Sequence, residues 1–176
     1  IINICKKNNI NDYLLRPKRL SRTNSTLDQV IEYTISAQKN IKIINFCMLW
    51  ATAAMTNSQD IVKSYTLMNK YKHSESCIGC KEDYSIYSTL EKKNNSFFYK
   101  PSYSNKKISK LTKQSIEANY LINSSLAWVK LNAFNTQKTW IPKNTLPYVM
   151  PYYKSVDVDY YQDFELLEYY FKKYKK

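Results

Sequence analysis

The sequence holds one glycine, Gly79, and one histidine, His73, in 176 residues. A single glycine excludes several enzyme classes together. There is no G-x-G-x-x-G, no G-x-x-x-x-G-K-[ST] and no G-x-S-x-G. Loops that cradle phosphates need several glycines so that backbone can approach the ligand closely. A single histidine rules out H-E-x-x-H and leaves a histidine-based triad only through His73. Four cysteines in a chain of this length make no disulfide framework. Cys5 and Cys47 stand alone, and Cys47, inside an apolar run, reads as a small buried hydrophobe. The start of the chain shows no signal-peptide or cleavage pattern, and the lack of an initial Met reads as an N-terminus missing or processed. No internal repeat is visible, and no enzyme activity is expected.

What is present points elsewhere. The chain is 44% hydrophobic and 15% aromatic, enough to bury a core in one medium domain or two small ones. Lys and Arg number 27 against 14 Asp and Glu, a formal charge of +13. Such a charge favours polyanions, nucleic acid first and an anionic membrane surface second. Lysine, asparagine, isoleucine and tyrosine are abundant; there are 17 tyrosines. These residues have AT-rich codons, whereas Gly, Ala, Pro and Arg have GC-rich ones. In this composition the whole chain resembles proteins encoded in protist organelle genomes, ciliate mitochondrial ones in particular. Many of those are divergent ribosomal proteins or respiratory-complex subunits. The resemblance implies a location in the mitochondrial matrix.

Residues 1–26 read as an extended basic arm. Lys6, Lys7, Arg16, Lys18, Arg19 and Arg22 face one acid, Asp12. All three arginines of the chain lie between residues 16 and 22. Drift toward lysine would not cluster the arginines that remain. Guanidinium binds phosphate through a planar fork, which an ammonium cannot do. Pro17 keeps Arg16 extended. These six cations are the expected RNA contacts, and a solvated surface arm or a targeting remnant is the plain alternative.

Residues 27–81 read as a helical unit that ends in a C-x-x-C knuckle. Thr26-Leu27-Asp28-Gln29 is a capping box, and a helix is expected over 27–39. The apolar run from Ile41 to Met55 reads as a central buried helix, too short for a membrane span and interrupted by Lys42 and Asn45. Asn57 or Ser58 caps a further helix carrying Ile61, Tyr65 and Met68. The knuckle, residues 73–81, holds Cys77, Gly79 and Cys80, and a tight turn there with glycine at φ > 0 would put two thiolates on one side. Cys77 and Cys80 then form half of a tetrahedral zinc site, with His73 as third ligand. Cys5, Cys47 or a neighbouring subunit would supply the fourth. A redox dithiol and plain reduced thiols are the other readings.

Residues 82–176 read as a hairpin followed by helices and a Pro/aromatic strap. Tyr84 to Leu90 and Phe97 to Tyr103 form the hairpin strands around a polar turn at 91–96. Its aromatics, interleaved with Lys92, Lys93, Lys100, Lys106 and Lys107, either stack on unpaired bases or pack into the core. Ser109 caps a helix to about residue 123, and 125–134 continues it or forms a short strand. Pro142, Pro147 and Pro151 make 136–156 an extended strap with Trp140, Tyr148, Tyr152 and Tyr153. Asp157, Asp159 and Asp163 lack the glycine and closing glutamate of an EF-hand. A last helix covers 162–174.

The expected fold is therefore a helix-rich α+β protein. The expected function is that of a structural protein of a large organellar ribonucleoprotein, a mitochondrial ribosomal protein contacting rRNA and neighbouring ribosomal proteins. It would not insert in a membrane or form a free homo-oligomer. An accessory subunit of a respiratory-chain complex is the alternative. A thiol-disulfide enzyme would need the motif at a helix N-terminus after a strand.

Overall fold

The computed structural model of the chain describes residues 1–84, 90–93, 96–99 and 118–174. Its elements are α1 (Ile2–Lys7), a 3-10 turn (Lys18–Leu20), α2 (Leu27–Ser36), β1 (Asn45–Leu49), α3 (Ser58–Lys70), β2 (Ser76–Asp83), β3 (Leu90–Lys93), β4 (Ser96–Tyr99), β5 (Asn119–Lys130), α4 (Leu131–Gln137), β6 (Thr145–Val149), a 3-10 turn (Tyr152–Lys154) and α5 (Tyr161–Tyr174). The class is α+β. Four strands form one mixed sheet in the order β1-β5-β2-β6, and β3 pairs with β4 as a separate hairpin. β5 is antiparallel to both its neighbours, whereas β6 runs parallel to β2. The sheet thus takes two strands from each side of residue 84.

Two helices start as the sequence dictates. Thr26 accepts from the Gln29 backbone and Gln29 reaches back to Thr26, closing the box at α2. Asn57 and Asp60 make the same reciprocal pair at α3. Each cap satisfies donors that a helix start otherwise leaves unpaired, an effect of about 1 kcal/mol.

The run 41–55 is not a helix. Its centre is β1, and turns follow. Phe46 on β1 stands beside Val129 on β5, and Phe46 meets the Phe134 ring edge-on at 5.6 Å. Ile31 of α2, Val129 and Phe134 of α4 form the core on this side, with Met48 and Trp140 packed against it. On the other side α3 lies across the sheet, where the Trp128 indole N–H donates to the Ile61 carbonyl at 3.0 Å. A strand whose residues are apolar on both of its faces, as Phe46, Cys47 and Met48 are, lacks the apolar–polar alternation and so reads like a buried helix.

The helix expected up to residue 123 is also corrected, because β5 begins at Asn119. From 125 onward the chain is strand to Lys130 and then α4. Within 136–156, β6 sits at the sheet edge, where Pro147 costs no interior ladder bond. α5 spans nearly the expected residues. The hairpin is present, with β3 and β4 paired from Leu90–Tyr99 to Lys93–Ser96, so Glu91, Lys92, Lys93 and Ser96, expected in the turn, are strand residues. The helix start at Ser109, the strand residues 85–89, Pro101, Tyr103 and Lys100, Lys106 and Lys107 lie outside the described residues.

A candidate nucleic-acid interface

The arm is built rather than loose. Lys6 and Lys7 close the last turn of α1, where cations suit the helix dipole. The Asn8 side chain caps that turn by donating to the Ile4 carbonyl at 2.8 Å. Pro17 is extended (φ −66°, ψ 151°) and leads into the 3-10 turn. The expectation of a wholly extended arm is corrected accordingly. Leu20, buried to 4% exposure, is the anchor that folds the segment against the body. Tyr33 of α2 donates its hydroxyl to the Leu15 carbonyl at 3.1 Å, a second tie. Ser25 reaches back to the Arg19 carbonyl at 3.1 Å, and Arg16 Nη1 donates to the Leu20 carbonyl at 3.3 Å.

The result is a docked turn that displays cations. Lys6, Lys7, Arg16, Lys18, Arg19 and Arg22 are all exposed. The ion pairs among the described residues are Lys138–Glu32, Lys154–Asp60 and Lys172–Glu168, and none uses an arm cation. An unpaired cation pays little desolvation before meeting a phosphate and releases counterions when it does.

The C-x-x-C residues are placed differently from the expected turn. Both lie in β2, a regular strand, and Gly79 has no positive φ. Three residues apart on a strand are out of phase with its pleat. His73 is exposed in the turn before β2, and Cys77 and Cys80 are buried. Cys77 of β2 and Cys47 of β1 stand in the two strands flanking Trp128. Cys5 belongs to α1. Among the described residues no group of three or more His, Cys, Asp or Glu side chains is disposed to hold a metal ion. Burial pushes the Cys77 thiol up to about 12, with Cys80 nearby adding to it, and pushes Cys80 and Cys47 up to about 11. Thiols so placed are protonated at neutral pH and poor nucleophiles.

A buried polar knot was not legible in the sequence. Asp60 of α3 is only 6% exposed. Its carboxylate receives the Lys154 ammonium at 2.7 Å, the Tyr148 hydroxyl at 3.2 Å and the Asn57 backbone N–H at 3.0 Å. Burial first, then the Asp60 charge, push the Tyr148 phenol up to about 12, so it stays protonated and donates. The knot is fully partnered and joins α3 to β6 and the turn beyond it.

Apolar surface is also displayed. α5 buries only Leu167 and leaves Tyr161, Phe164 and Tyr169 more than half exposed. A groove of about 430 Å³ between α2 and β1 is lined by Leu27, Ile35, Met48 and Trp50 among others. No described helix is long and apolar enough to cross a membrane. No protein-family model matches the chain, and no curated protein matches its sequence.

Proposed function

We propose that the protein is a structural component of a large organellar ribonucleoprotein, a mitochondrial ribosomal protein that contacts rRNA through its N-terminal arm. The observation that carries this reading is the docked turn at 16–22. It concentrates every arginine of the chain, is held by Leu20 and Tyr33, and its cations meet no carboxylate among the described residues. A fixed turn loses less conformational freedom on binding than a free arm, which favours phosphate contact. The aromatic face of α5 and the groove beside β1 fit neighbouring proteins in such a particle.

The reading is tested by replacing Arg16, Arg19 and Arg22 with Gln and measuring RNA binding across salt concentrations. Affinity should fall for unrelated RNA sequences alike. The slope of log affinity against log salt should flatten by about 2–3, since each lost phosphate contact removes roughly 0.7–0.9. An unchanged slope in a folded triple variant removes the arm as the contact.

The exposed aromatics of α5 also fit the second reading, an accessory subunit of a respiratory-chain complex, which needs no RNA. Co-sedimentation separates the two: the first expects a particle containing rRNA, the second a detergent-solubilised membrane complex.

A further inference from the structure

Beside α3, where the chain enters β1, lies an open cleft of about 370 Å³ that includes Lys42, Ile44, Asn45, Tyr65 and Trp128 in its lining. Its size falls at the small end of ligand sites, about 300–1,000 Å³. Two of its walls are aromatic rings in contact, with centroids 4.7 Å apart and planes tilted by 49°. The indole is held in place by its hydrogen bond to the Ile61 carbonyl at 3.0 Å. The phenol, 38% exposed, is therefore backed by a fixed ring and presents an open surface. Asn45 donates weakly to the Tyr65 hydroxyl at 3.5 Å, and its amide oxygen has no partner among the described residues. Lys42 is exposed and carries no ion pair among the described residues.

We propose that this cleft binds one unpaired RNA base, stacked on Tyr65, with its edge on the Asn45 amide and the adjoining phosphate on Lys42. The proposal rests on the RNA-binding reading above and adds to it a preference for single strands. A ring wall, an amide with both donor and acceptor, and a cation at the rim are the three features that base recognition in unpaired RNA uses. A duplex hides its base faces in the stack and cannot enter. The arm, which meets phosphates alone, has no such preference. The same nucleobase chemistry is offered by a free nucleotide, so the test includes one.

The full chain is titrated with a labelled single-stranded RNA octamer and with a duplex of the same sequence. Tyr65→Ala should weaken octamer binding about tenfold and leave duplex binding unchanged, because stacking on one aromatic ring is lost. Tyr65→Phe should bind the octamer nearly as wild type. Lys42→Ala, on an exposed side chain, should weaken the octamer severalfold and guards against a Tyr65 variant that unfolds. Equal loss on octamer and duplex, or no loss on either, overturns the cleft and leaves the arm standing. Wild-type protein that binds neither RNA overturns both readings. Binding of AMP or UMP with no binding of the octamer makes the cleft a free-nucleotide site and overturns the proposal.

Discussion

The Ser125 hydroxyl occupies the space that a β-carbon on Gly79 would need. The same β-carbon would come within 2.8 Å of the Asn123 side-chain oxygen and 3.2 Å of the Met150 sulfur. The crowding comes from the register. Between the pairs Ile78–Ala127 and Cys80–Ile122, β2 advances two residues while β5 advances five. The excess bulges, with Ser124 left-handed at φ 47°. Asn123 and Ser125 turn into a buried network, in which Ser125 donates to Asn123 at 2.6 Å and Asn123 to Ser155 at 2.9 Å. The only glycine is there for close approach, not for a special φ.

Gly79→Ala should therefore lower stability by about 3 kcal/mol, since a methyl group must displace a satisfied polar network. Urea denaturation measures it. Gly79→Ala combined with Ser125→Ala should cost less than the two single changes added, because the nearest clashing atom is gone. A Gly79→Ala variant as stable as wild type would contradict the geometry.

Breaking the Asp60–Lys154 pair from either end should be costly. Asp60→Asn leaves a buried ammonium without its counter-charge, and the expected loss is about 3–5 kcal/mol. The double change Asp60→Asn with Lys154→Met should recover a large part of it. Thermal melts of the four proteins close this cycle, and additive effects would mean the pair is not coupled.

Thiol chemistry offers a direct check of burial. With their thiols raised to about 11–12, Cys47, Cys77 and Cys80 should resist an aromatic disulfide reagent at pH 8 in the native protein. Denaturant should expose all of them. Rapid modification of Cys77 and Cys80 in the folded state would refute the strand placement.

Glu75 carries a pH signature. The Asn144 backbone N–H and the Gln137 side chain, each donating at 2.9 Å, hold its carboxyl below the ordinary value of 4.5. A lowered folded-state pKa means stability that is complete above the unfolded value and lost as pH falls through the folded one. Glu75→Gln should thus be less stable than wild type at pH 7, and the gap should shrink below about pH 4.5. A pH-independent gap would assign the effect to shape rather than charge.

Local signals in the sequence were legible and distant ones were not. The capping residues Thr26, Gln29 and Asn57 specify helix starts through neighbours a few positions away, and those starts are found in place. The acids and lysines of α5 likewise mark its ends. β1 was misread because Phe46, Cys47 and Met48 are apolar on both faces, and what makes them a strand is β5, far along the chain. The knuckle was misread for the same reason: a C-x-x-C with glycine resembles a turn until β5 and β6 are laid on either side of it. The arginine cluster was visible, but the role of Leu20 as its anchor was not, since a lone leucine in a polar stretch carries no period. The cleft at Tyr65 and Trp128 joins α3 to β5 and has no local sequence mark.

The order β1-β5-β2-β6 has a consequence for biogenesis. During synthesis β1 and β2 emerge first, and neither is the other's neighbour in the finished sheet. Each must wait for β5, which slots between them antiparallel to both. Until then both carry unpaired backbone edges, the kind of surface that recruits chaperones or foreign strands. The nascent chain is thus vulnerable over most of its length, and sheet assembly cannot begin before residues 119–130 leave the exit tunnel, with β6 closing the far edge of β2 later still.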